Sequence, residues 1–418
     1  MKKRKLRIPL RKSIAIIITL LAGTTMILFF AADLIDHQEG WTMVVIDENI
    51  DKPLYPAIVD INGNGKLDIV VASGDGPTEG VYWYRLVDQI QGNWICYTID
   101  NNTVSGIDNA HAITVIDMNN DGIDDVISCG HHSNEVAWYS RTNADGTNVW
   151  TKHIIDDNCT YAHNTAAGDI KGDGHIEVVA VAEVRGDLYL YEQAEHGNPY
   201  GIWNRTTIDN DLAGAFRVYL ADVNNDTKLD IIATGNYKYY YYWYENPNWT
   251  RHQINEVSLK DSRAGSPWDV DMDGDHDIVA VDMDNNEVIW YELDSSNPTG
   301  YWRKHLVDDS IDSPYDIAVA DIDGNGKNDI IATGYGTQST IRRVLGWTGG
   351  SVVWYSDSDP TGEWTKHYIG SLLGPRNINI YDLDEDGDLD IIIGDNGPDG
   401  RTGKLVYFVN ELGLFKGD

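Results

Sequence analysis

Residues 321–331 read DIDGNGKNDII. Asp321, Asp323, Asn325 and Asp329 offer side-chain oxygens at loop positions 1, 3, 5 and 9, and Gly326 stands where a tight turn is needed. Several oxygens at that spacing suit a hard cation such as Ca2+. The stretch recurs as DINGNGKLD (60–68), DMNNDGIDD (117–125), DIKGDGHIE (169–177), DVNNDTKLD (222–230), DVDMDGDHD (269–277) and DLDEDGDLD (382–390), at spacings of 47 to 61 residues. A period near fifty built from strands predicts a propeller rather than a helical array.

Two further signals keep the same period. Each loop runs into an apolar segment such as DIVVASG (68–74), and then into an aromatic strand such as VYWYR (81–85) or VIWYE (288–292). A Trp then opens an alternating strand: Trp41, Trp94, Trp150, Trp203, Trp249, Trp302 and Trp364. Trp41 precedes every loop, and the chain stops shortly after the seventh aromatic strand. The fold expected is therefore all-β: one seven-bladed β-propeller over residues 40–418, its last blade closed by the N-terminal strand.

Seven basic residues and no acid lie in residues 1–12, against a chain total of −35, so the remainder carries −42. That balance argues against nucleic acid as a partner. Residues 13–32 are uncharged and mostly apolar, long enough to span a bilayer. Positive charge on their N-terminal side predicts a cytoplasmic segment 1–12, a transmembrane signal-anchor 13–32, a linker 33–39 and an extracellular propeller, probed against the alternative of secretion after signal cleavage. The propeller is expected to be monomeric.

The repeat resembles the FG-GAP/VCBS family over roughly residues 40–418. The resemblance implies a seven-bladed propeller with structural Ca2+ in each blade loop. Position by position, the ligand candidates are Asp60, Asn62, Asn64 and Asp68; Asp117, Asn119, Asp121 and Asp125; and Asp222, Asn224, Asp226 and Asp230. The later blades supply Asp269, Asp271, Asp273 and Asp277; Asp321, Asp323, Asn325 and Asp329; and Asp382, Asp384, Asp386 and Asp390. Blade three has Lys171 at position 3 and Glu177 at position 9, so its loop is expected to lack Ca2+. No Glu follows at position 12 and the flanks are strands, which excludes a helix-opening EF-hand sensor.

Counting back five or six residues from each loop locates the start of each inner strand: Tyr55, His111, His163, Arg217, Arg263, Tyr315 and Arg376. Loops on the same face add His131, His132, Arg185 and Tyr237, and an insertion at 334–350 adds Trp347. A strongly acidic domain thus presents one basic, aromatic face, suited to an anionic or neutral glycan. Zinc among its histidines has no tight ligand spacing behind it. The face is similar to that of ulvan-lyase-type polysaccharide lyases, which implies β-elimination on a uronate-containing glycan. The implied catalytic set is His111, His131, His163, Arg185 and Tyr237, with Tyr55, His132, Arg217, Arg263, Tyr315, Arg376 and Trp347 as ligand-binding residues. A non-catalytic adhesion or scaffold propeller, binding a protein or glycan, is the competing expectation. Cys129 and Cys159 fall on this face in adjacent blades, where a disulfide could brace it, and Cys96 is expected to be a buried thiol.

Overall fold

The computed structural model describes residues 40–88, 93–101, 106–141, 150–237, 240–336, 349–356, 359–397 and 402–415. The basic segment, the apolar segment 13–32, the linker and Trp347 lie outside the described residues. Among the described residues no helix is long and apolar enough to cross a membrane.

Seven four-stranded antiparallel sheets follow one another, six of them in simple sequence order. The seventh combines Pro375–Tyr381, Asp390–Asp395 and Thr402–Asn410 with the N-terminal strand Trp41–Asp51. Trp41 pairs with Asn410 and Asp51 with Thr402, so the two ends of the propeller close its last blade. One core cluster joins Trp41 and Phe408 to Ile331 and Trp354 of blade six, and another joins Ile50 and Leu405 to Ile69 and Val71 of blade one. The ring is thereby sealed by hydrophobic packing on both sides of the seam.

The sequence pattern has a direct cause in this geometry. Every second strand, from Asp68–Ser73 to Asp390–Asp395, is buried along its whole length. Neighbouring blades cover both of its faces, so it reads as a continuous apolar run instead of an alternation. The outer strands reach solvent, as in Trp203–Asp209 with four consecutive exposed residues. Third strands carry the large filling groups: Trp83, Trp138, Trp243 and Trp290 are fully buried.

A Tyr of the third strand, following Trp83, Trp138, Trp243 and Trp354 and, in blade three, Leu190, links blades. Tyr84, Tyr139, Tyr191, Tyr244 and Tyr355 each donate a hydrogen bond, at 2.7–2.9 Å, to Asp47, Asp100, Asp156, Asp209 and Asp308 respectively. Each Asp belongs to the outer strand of a preceding blade, and Arg205, Arg251 and Lys366 pair with three of them. The WY motif therefore does two jobs, with Trp filling the blade and Tyr tying it to its neighbour.

Cys129 and Cys159 are both buried free thiols, and the Cys129 thiol lies 3.2 Å from the His111 carbonyl oxygen. The expected disulfide is not formed. Both sulfurs belong to the core packed between blades two and three, where they act as small apolar groups. Cys96 is exposed, because its outer strand has solvent access that a second strand lacks.

Candidate functional site

The two faces of the propeller are built from different ends of the inner strands. On the loop face, position 1 of each repeat caps its own turn. Asp321 accepts the N–H groups of Asn325 and Gly326 at 2.8 Å each, and Asp382 accepts those of Asp386 and Gly387 at 3.0 Å. Position 9 begins the buried second strand and clasps the loop to the third strand. Asp277 accepts the N–H of Val270 and that of Leu293, and Asp390 accepts those of Leu383 and Asn410.

These loops fit a cation. Asp269–Asp271–Asp273, Asp321–Asp323–Asp329 and Asp382–Asp384–Asp390 each bring one carboxylate oxygen apiece within 4.8 Å of the others. Oδ1 of Asp125, Asp269 and Asp329 is buried without a hydrogen-bond partner, which an ion would supply. Burial, then repulsion from neighbouring carboxylates, pushes Asp125, Asp329 and Asp390 up to about 7 and Asp277 to about 8, with backbone hydrogen bonds opposing the rise. Carboxyls held so high are what a bound cation would relieve. Blades one, two and four offer Asn62, Asn119 and Asn224 at position 3, where blades five to seven have Asp. Asn62 is already bonded to Asp68 through its amide.

On the opposite face, six of the seven inner strands carry a register shift at their first residues. A bulge there re-aims a side chain towards the central axis. The result is a cavity of about 210 Å³ lined by Tyr55, His111, His131, His132, His163, Arg263, Tyr315 and Arg376, together with Lys52, Asp75, Asn109, Glu183 and Phe216. Eight of the expected binding and catalytic residues are thus brought together.

Three imidazoles form the centre. The His111 ring lies 5.1 Å from that of His131 and 4.7 Å from that of His163. His163 Nδ1 is 2.8 Å from the Phe216 carbonyl oxygen, and His131 Nε2 is 3.1 Å from Glu183. Both ring nitrogens of His111 are buried and have no hydrogen-bond partner. Burial, reinforced by His163, Lys52, His131 and Arg376, drives His111 well below the usual imidazole range. Burial likewise takes His163 down to about 3. Both rings are neutral near pH 7. Burial raises Glu183, but its bond to His131 and the cations around it outweigh this and leave it below its ordinary value.

The two guanidinium groups differ. Arg263 is held by Asp261 at 2.7 Å. Arg376 has no carboxylate within ion-pair distance among the described residues; it contacts the Tyr315 hydroxyl at 3.4 Å and lies over the Tyr315 and Tyr335 rings.

Three expected residues fall elsewhere. Arg217 sits one residue past the bulge, so Phe216 takes the place at the mouth. Arg217 turns into a second cavity of about 640 Å³ that runs along the channel towards Asp321 and Asp382. There it meets Asp316 at 2.9 Å and stacks over Tyr55. Arg185 is exposed and paired with Asp187, and Tyr237 is 58% exposed; neither lines the cavity. Glu183 and Phe216 went unread in the sequence, although Glu183 lies only two residues before Arg185 on the same loop.

Comparisons with known proteins agree with this architecture. The FG-GAP-like repeat model matches residues 60–128, 117–180 and 169–233. No curated protein sequence matches the chain. Among solved structures, virginiamycin B lyase from Staphylococcus aureus is similar at 10% identity and TM-score 0.58, covering 88% of this chain and 98% of that one. An Agrocybe aegerita lectin that recognises non-reducing terminal N-acetylglucosamine has 18% identity and TM-score 0.51, covering 78% and 82%. The BBS1N propeller, solved in complex with ARL6DN, has 11% identity and TM-score 0.54, covering 89% and 99%. At these identities the likeness concerns the fold alone. The chain is a seven-bladed β-propeller in which FG-GAP-like repeats are matched over residues 60–233.

Proposed function

We propose that the protein is an extracellular, membrane-anchored propeller that binds an acidic glycan at the mouth of its channel and cleaves it by β-elimination. The observation that carries this reading is Arg376, a guanidinium in the cavity with no carboxylate partner among the described residues, beside His111, an imidazole with neither nitrogen engaged. Arg376, supported by Arg263, holds a uronate carboxylate. Neutral His111 takes the proton beside that carboxylate, the bond to the leaving oxygen breaks, and a carbon–carbon double bond forms in the ring. His131, stacked on His111 and hydrogen-bonded to Glu183, delivers a proton to the leaving oxygen. Arg185 and Tyr237, on the rim, contact flanking sugars instead of the reacting one.

The cavity volume favours a second reading. At about 210 Å³ it admits a single sugar unit, which suits recognition of a chain end without turnover. The lectin of similar fold recognises non-reducing terminal N-acetylglucosamine. One experiment separates the two. The full chain is incubated with a panel of uronate-containing polysaccharides while ultraviolet absorbance of unsaturated uronate is followed and binding is measured in parallel. Turnover lost in His111→Ala with binding retained supports elimination. Binding lost in Arg376→Ala without turnover in any protein supports recognition alone. Neither binding nor turnover would refute both.

Calcium in the loops of blades one, two and four to seven belongs to the same proposal, with the ions rigidifying the face opposite the site. The loops hold 26 of the 66 acidic residues, so bound cations also offset much of the domain's self-repulsion. The apolar segment 13–32 anchors the chain, with the propeller outside the membrane.

A further inference from the structure

Blade three breaks the pattern of its loop, and it does so with a different set of ligands. Lys171 occupies position 3 and its ammonium pairs with Glu192. Glu177 is engaged by the N–H groups of Ile170 and Lys171, and Asp169 by those of Asp173 and Gly174. An ammonium where other loops place an oxygen leaves a poor site for calcium.

Position 7 of this loop is His175, where the other six have Lys66, Ile123, Lys228, Asp275, Lys327 and Asp388. The turn between the third and outer strands of the same blade brings His196 over it. The two rings lie 5.5 Å apart, and His196 Nδ1 is 3.6 Å from Asp173 Oδ2. Asp173 is oriented by the His175 N–H, which donates to its Oδ1 at 3.1 Å. Gly197, at φ +77°, makes the turn, and a Cβ there would stand 3.3 Å from the His175 ring. One ligand atom from each of Asp173, His175 and His196 lies within 4.8 Å of the others.

Two imidazoles and a carboxylate are a donor set for borderline divalent metals, not for calcium. We propose that Asp173, His175 and His196 form a surface site for a zinc-class divalent cation, which takes the place of calcium in blade three. The remaining coordination positions face solvent, because His196 and Asp173 are both exposed. The face that elsewhere carries oxygen-rich loops therefore has one nitrogen-rich station.

The test uses the full chain with Ca2+ in excess, so that oxygen-rich loops are occupied, and Zn2+ titrated against a chromogenic chelator. Wild type should bind one zinc that the His175→Ala/His196→Ala double variant binds at least about a hundredfold more weakly. Co2+ in place of zinc should give a visible absorption band in wild type that the double variant lacks. His111→Ala should keep both signals. An unchanged melting temperature in Ca2+ confirms that the double variant folds. Equal zinc binding by wild type and double variant, no zinc bound by wild type, or loss of the ion in His111→Ala would overturn the assignment.

Discussion

The two faces of this propeller obey opposite rules. On the loop face, the same acidic residue caps the same N–H groups blade after blade, and the buried position-9 carboxylate makes the same clasp. On the mouth face, one strand position holds Tyr55, His111, His163, Phe216, Tyr315 and Arg376 in different blades. Repetition there would give a ring of like groups; variation gives a cavity in which cations, imidazoles and phenols stand side by side. Blade three joins the two behaviours, since its loop has departed from the repeat and its inner strand contributes His163.

The comparison can be broken most severely by removing metal. If the loop face is a calcium-held scaffold, chelation should lower the melting temperature by roughly 10–20 °C, several sites each contributing about 2–3 kcal/mol at saturating ion. An unchanged melting temperature by scanning fluorimetry would contradict the scaffold assignment.

A pair of arginine variants tests the mouth against the channel beneath it. Arg217→Ala strands Asp316, whose side chain is 4% exposed, and should destabilise by about 3–5 kcal/mol in denaturant titration. Arg376→Ala strands no carboxylate among the described residues, so it should leave the denaturation midpoint nearly unchanged while weakening anionic-glycan binding about tenfold or more. Equal destabilisation by both would remove the distinction between structural and binding guanidinium groups.

Acid offers a finer probe of the mouth. His111 and His163 are buried neutral, with folded pKa values depressed below that of an unfolded imidazole. The unfolded chain therefore binds more protons than the native one below about pH 6.5, and stability falls as pH falls. Between that pH and the His163 value of about 3, the His163 ring should cost about 1.4 kcal/mol per pH unit. His163→Phe should flatten the slope measured by chemical denaturation across this range; an unaltered slope would mean that His163 is protonated in the native state.

The smallest effect concerns the links between blades. Tyr191→Phe removes the hydrogen bond to Asp156 but keeps the packing, and Arg205 remains to pair with that carboxylate. The loss should be about 1 kcal/mol by denaturant unfolding. A loss of several kcal/mol would show that the hydroxyl, and not the ring, holds the neighbouring blades.

Much of the mouth was readable by counting from the loops. Tyr55, His111, His163, Tyr315 and Arg376 all reach the cavity because inner-strand length hardly varies between blades. Arg217 lies five residues before its loop, whereas His111, His163, Tyr315 and Arg376 lie six before theirs; the sixth place in blade four is Phe216, which takes the mouth while Arg217 turns towards Asp316. Arg185 and Tyr237 follow the second strands of their blades yet fall outside the cavity, since a place in a loop does not specify how far a side chain reaches inward. Glu183 carried no periodic mark at all, and only its contact with His131 reveals it.

Periodic order was therefore determined by the sequence alone: seven blades, their loops, and the N-terminal strand that completes the last. Local hydrogen bonding and two-sided burial act within each repeat, so each copy bears its own imprint of them. Which side chains converge was decided by tertiary structure. Convergence on the axis sums small departures from seven separate repeats: Arg376 lying over the Tyr315 and Tyr335 rings and the unengaged ring of His111 exist only once the ring has closed, whereas His175 and His196 meet within the fold of blade three.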